Sequence, residues 1–229
     1  MSAARTRRYT NRRRVVGAAG LTATGLLGVS LSVEPGSARF YRLTMAAAAS
    51  YAFGGLISGP IPLERAGSTP ETRRRSVFSA VLVGAATFVV FYLIALVARY
   101  IPILDRAIRG ILGYAHHGAM PLVVMSTLTT GAAEEVYFRG AVYGAVRDND
   151  SYRPVAVSTA IYALATVATR NPALVLASIV MGVLFSLERR NSEGVLASTV
   201  THLVWSSLML RYLPPLFPPK ADEDTARIV

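Results

Sequence analysis

In the stretch TTGAAEEVYFRGAVYG, Thr129 to Gly144, two glutamates and an arginine interrupt a segment that otherwise reads as a hydrophobic helix. An ion buried at membrane depth costs about 2.5 kcal/mol or more, so such charges usually face an interior cavity and serve a task. On an α-helix Glu135 and Arg139 are four apart and share a face, where they can neutralise each other. Glu134 points about 100° away and is left as a spare carboxylate. An unpaired carboxylate in a low-dielectric site can take a proton near neutral pH and act as a general base. The alternative is an ion-pair network that only holds helices together.

The elements that must position these groups follow from the rest of the chain. Of 229 residues, 52% are hydrophobic and 16% charged, and the mean hydropathy is +0.42, well off the balance of a soluble domain. A bilayer core takes about 20 apolar residues of helix. Residues 15–33, 43–63 and 76–98 supply that length, and 119–133, 154–169, 171–187 and 194–210 fall slightly short and need their flanks. The expectation is an all-α fold, a polytopic transmembrane helix bundle of about seven helices. The first three lack ionisable side chains at membrane depth, so any chemistry belongs to the last four. Small residues, as in MAAAASYAFGG, suit close helix packing in lipid.

With no cysteine there is neither a disulfide framework nor a thiolate metal site or nucleophile. The net charge of +11 comes from arginine clusters beside the apolar runs, the pattern of membrane topology and not of nucleic-acid binding. RTRRYTNRRR places six arginines ahead of the first run, and no small-residue cleavage site closes that run. It reads as a signal anchor with residues 1–14 as a basic cytoplasmic tail. The loop ERAGSTPETRRR is then a cytoplasmic topology determinant. The bundle spans 15–213, and 214–229 is a polar, Pro-rich tail expected to be disordered and outside.

EEVYFR resembles the EExxxR motif of the CPBP intramembrane proteases, the family of CAAX prenyl proteases, bacteriocin-processing enzymes and abortive-infection proteins. The family has two further motifs, FxxxH and HxxxN. YALAT, Tyr162 to Thr166, stands where FxxxH belongs, and HLVWS, His202 to Ser206, where HxxxN belongs. The similarity covers about 119–210. It implies that Glu134 activates the attacking water, that Glu135 and Arg139 orient and hold the helix, and that His202 with Ser206 stabilises the oxyanion. Two positions depart from the family. Thr166 replaces the water-holding histidine, and a hydroxyl can bind water without taking its proton at neutral pH. Ser206 replaces the asparagine and keeps one donor.

Counted from Arg147, Arg153 and Gly194, the residues Glu134, Thr166 and His202 lie about 20, 20 and 12 Å deep at 1.5 Å per residue. They can meet in a cavity open to the cytoplasm. His116 and His117 precede the motif helix and read as interfacial loop residues, and Tyr137, Tyr143, Tyr162 and Trp205 as packing residues. Glu134 and His202 would offer a divalent metal two ligands, fewer than the three usual in catalytic zinc sites, so no metal or other cofactor is assigned.

The reading is a multi-pass plasma-membrane endopeptidase acting on a membrane-embedded or membrane-associated peptide. One rival is a family member that has lost catalysis and binds a membrane partner, as in immunity. Another is a small transporter lined by Glu134, Glu135 and Arg139.

Overall fold

A computed structural model describes residues 3–146 and 151–219, with side chains from Arg12 onward. The secondary structure of the described residues is entirely helical. Its elements are α1 (Ala3–Ser30), α2 (Ala38–Ser58), α3 (Pro70–Ala98), α4 (Pro102–His116), α5 (Met120–Glu134), a π-helical segment (Glu135–Val142), α6 (Tyr143–Val146), α7 (Arg153–Val167), α8 (Pro172–Ser192) and α9 (Leu196–Tyr212). A 3-10 turn follows at Pro214–Leu216. Because α5, the π segment and α6 run without a break over 120–146, the described residues form eight helical rods.

All seven apolar runs are helical over most of their length, and α4 is an addition to them. Its sequence, PILDRAIRGILGYAH, spreads Asp105, Arg106 and Arg109 among apolar residues, so it contains no uncharged run long enough to suggest a helix by hydropathy. Among the described residues α3 and α8 are the helices long and apolar enough to cross a membrane, and α7 is apolar but shorter.

Local chemistry sets the helix starts. Proline stands in the first turn of α3, α4, α5, α7 and α8, where its missing N–H is no loss and its fixed φ already suits a helix. Ser37 caps α2 by accepting from the Phe40 N–H, and Asn171 caps α8 by accepting from the Leu174 N–H. The tight α7–α8 turn places Arg170 at φ 55°, in the left-handed region.

Packing pairs α1 with α2, α3 with α9 and α7 with α8. Small residues allow the close approaches. A Cβ on Gly54 would lie 2.1 Å from the Ala19 Cβ, and one on Gly84 would lie 2.9 Å from the Thr201 carbonyl oxygen. One buried cluster joins Val16 and Ala23 of α1, Tyr51 of α2, Tyr137 and Phe138 of the π segment and Ala165 of α7. The outer faces are apolar as well: Phe78, Leu82, Val89, Leu93 and Val97 of α3 are exposed, as are Leu176, Ile179 and Val183 of α8.

At the amino terminus, the basic stretch expected as a tail is helical from Ala3 and continuous with α1, while the side chains of 1–11 lie outside the described residues. At the other end, the segment expected to be disordered begins ordered. Phe217 is buried, and Arg109 donates to the Pro218 carbonyl. Residues 220–229 of that tail lie outside the described residues, as does Arg147, one of the depth markers.

Candidate functional site

The rod over 120–146 changes from α to π at Glu135, one residue after Glu134. π turns break the regular hydrogen-bond ladder and occur frequently at functional sites. The change does not separate Glu135 from Arg139. Both are fully buried, with Nη1 to Oε1 at 3.0 Å. Arg139 Nη2 also donates to the carbonyls of Met181 and Gly182, at 3.4 and 3.3 Å. Its guanidinium lies 4.7 Å from the Tyr162 ring centroid and 4.9 Å from that of Phe185. Such contacts offset the cost of burying the ion. Arg189 donates through Nε to the Arg139 carbonyl at 3.1 Å, giving one carbonyl of the π segment a partner.

The pair is part of a triad. His202 Nδ1 lies 3.1 Å from the same Glu135 Oε1, and the imidazole stacks on Phe185 at 4.7 Å. A carboxylate paired with arginine only accepts, so Nδ1 carries the hydrogen and donates it. In a neutral ring that tautomer leaves Nε2 as the acceptor nitrogen. A Cβ on Gly131 would come within 3.3 Å of Nε2, so the glycine makes room for the ring.

Glu134 is turned away from Arg139, as the helical spacing requires, but it is not free. Its Oε2 accepts from the Tyr162 hydroxyl at 2.9 Å, while Oε1 has no hydrogen bond among the described residues. Glu134, Thr166, His202 and Ser206 all line one cavity of about 330 Å³. Glu135 and Arg139 stand behind it. The Thr166 hydroxyl donates to the Tyr162 carbonyl at 2.9 Å, so its hydrogen is taken up within α7.

The cavity runs the opposite way from the one expected. From Glu134 it extends along α5 to Val123, along α8 to Leu174 and along α9 to Leu213, and it reaches Ser30, Phe40 and Tyr114. These positions lie at the end remote from 151–153 and 194, and the expected orientation makes that remote end the outer one. The cytoplasmic opening is corrected by packing: on that side of Glu134 the buried side chains of Tyr137, Phe138, Ala141 and Val142 fill the space.

Tyr162, read from the sequence as packing, touches the candidate base directly. The signal was its place four residues before Thr166, on the same helical face. Glu188 also escaped notice, since it adjoins Arg189 and Arg190 and reads as part of a terminal charge cluster. It is half-buried, and the Thr201 hydroxyl donates to its Oε1 at 2.7 Å. It does not line the cavity. Neither do His116 and His117: His116 Nε2 meets the Phe217 carbonyl oxygen at 3.2 Å, and His117 Nδ1 meets that of Gly113 at 2.9 Å. Among the described residues no three His, Cys, Asp or Glu side chains cluster as metal ligands.

Residues 116–208 match the family model described as type II CAAX prenyl endopeptidase Rce1-like. The matched segment is about two fifths of the chain and contains every expected site residue. It bears out the resemblance carried by EEVYFR and HLVWS, with ends within three residues of those read from the sequence. No curated protein and no solved structure matches the chain.

Proposed function

We propose that this chain, whose residues 116–208 are of the CPBP type, is a polytopic membrane endopeptidase that hydrolyses a peptide bond at membrane depth. The observation that carries the reading is the convergence of Glu134, His202, Thr166 and Ser206, from three helices, on one cavity. The exposed apolar faces of α3 and α8 support a place in lipid, since a soluble monomer rarely exposes large contiguous apolar surface.

Glu134 and His202 both line the cavity, and a water between Glu134 Oε1 and His202 Nε2 would be held from both sides. Glu134 takes the water's proton as its oxygen attacks the carbonyl carbon. Ser206, one turn beyond His202 on α9, donates to the oxyanion. The protonated Glu134 then returns the proton to the departing amine nitrogen as the C–N bond breaks. Arg139 and Glu135 fix the imidazole through Nδ1, and Tyr162 fixes Glu134. In this account His202 handles the water, and the oxyanion role first given to it passes to Ser206.

A binding-only family member is the second reading, favoured by the Thr166 hydroxyl being committed to the Tyr162 carbonyl. The test is cleavage of a membrane-peptide library by the full chain, followed by mass spectrometry. Products from the parent but not from Glu134→Gln support the enzyme. Equal products from both remove Glu134 from the chemistry, and products from neither favour binding alone.

A further inference from the structure

Outside the site, a larger groove lies between α1, α7 and the run of the π segment and α6. It has a volume of about 580 Å³ and mainly apolar walls, with Val16, Leu21, Phe138, Ile161 and Leu164 among them. Arg13 and Arg153 stand together at one end. Both are exposed, and neither guanidinium has an ion-pair partner among the described residues. The other end is reached at Thr24 and Ala165.

Arg13 to Thr24 and Arg153 to Ala165 are each a rise of about 17 Å at 1.5 Å per residue. Half of a hydrocarbon core of roughly 30 Å is about 15 Å, so the groove is as deep as one leaflet. Its cations stand where that leaflet's phosphates would be, and its apolar length where an acyl chain would run. Gly17 keeps the groove hollow, for a Cβ at that position meets nothing within 4 Å.

We propose that this groove binds one anionic phospholipid, with an acyl chain along α1 and α7 and the phosphate between Arg13 and Arg153. The occupant follows from charge complementarity at one end and apolar lining over one leaflet's depth. The proposal rests on the chain spanning a bilayer.

The test is native mass spectrometry of the full chain, purified in detergent and supplied with dioleoylphosphatidylglycerol or dioleoylphosphatidylcholine. Phosphatidylglycerol should stay bound at least tenfold better than phosphatidylcholine. Arg13→Gln with Arg153→Gln should bring it down to the phosphatidylcholine level, and Arg13→Lys with Arg153→Lys should keep part of the preference. Gly17→Leu, which fills open space, should reduce retention of both lipids at an unchanged melting temperature. Equal retention of the two lipids by the parent, or an undiminished preference in the double glutamine variant, overturns the proposal. Alkaline carbonate extraction of membranes from expressing cells tests the premise separately. Release of the chain overturns the membrane reading and the lipid site with it, whereas retention together with a failed lipid preference overturns the lipid site alone.

Discussion

Tyr162 donates its hydroxyl hydrogen to Glu134 Oε2 at 2.9 Å, so the stretch that lacks the family's second-motif histidine still orients the candidate base. A hydrogen bond to a charged group is worth about 1.5 to 3 kcal/mol, or roughly 10- to 100-fold in rate. Tyr162→Phe keeps the ring beside Arg139 and should lower kcat by that factor with little change in melting temperature. An unchanged kcat would make the hydroxyl incidental.

Thr166 lines the same cavity as Glu134, so an imidazole there would stand near the base. A well-placed proton-handling group is worth about 10² to 10⁴ in rate. Thr166→His should raise cleavage of a membrane peptide within that range, and adding Glu134→Gln should abolish the gain. A fast parent that gains nothing would show that Thr166 is not the vacant motif position.

Removing one partner of a buried ion pair costs about 3 to 5 kcal/mol, because the other is left uncompensated. Arg139→Ala should therefore lower thermal stability in detergent sharply. Glu135→Gln combined with Arg139→Gln should recover only part of the loss, since His202 Nδ1 and the Met181 and Gly182 carbonyls lose their charged partners too. Parental stability in Arg139→Ala would argue against the pairing.

Ser206→Ala should reduce kcat by about 10²-fold, the usual effect of losing one oxyanion donor, with KM nearly unchanged. Ser206→Asn, which restores the family residue, should retain at least parental kcat. A change confined to KM would make Ser206 a binding residue.

Reporter fusions after Arg14 and after Lys220 should report opposite sides of the membrane. The 15-residue α4 is about 22 Å long, short of a core of roughly 30 Å, and carries Asp105, Arg106 and Arg109. It should lie along the interface and leave seven spans. The same side for both fusions would require α4, or another rod, to change role.

The EExxxR spacing was readable because a buried glutamate–arginine pair four apart forms whatever surrounds it, and Glu134 must then point elsewhere. The link from Glu135 to His202 was not readable, since it joins α9 to the π segment across 67 residues and depends on helix rotation. The cavity's direction failed for a related reason: depth counted along each helix gives a level, but which side is filled depends on Tyr137 and Phe138 turning inward. Hydropathy found the apolar runs as helices and passed over α4, whose charges conceal an apolar face. Glu188 was concealed by the arginines beside it.

The π segment over Glu135–Val142 can be regarded as an α-helix carrying one residue too many, held in place by the contacts of Arg139. Deleting a single residue such as Ala141 would let the rod relax to regular α geometry without breaking it. Because a π segment takes up its extra residue in a widened turn, the helix before and after it would keep nearly its present facing. What would be lost is the local widening of the backbone that sets Glu135 and Arg139 against α8 and α9.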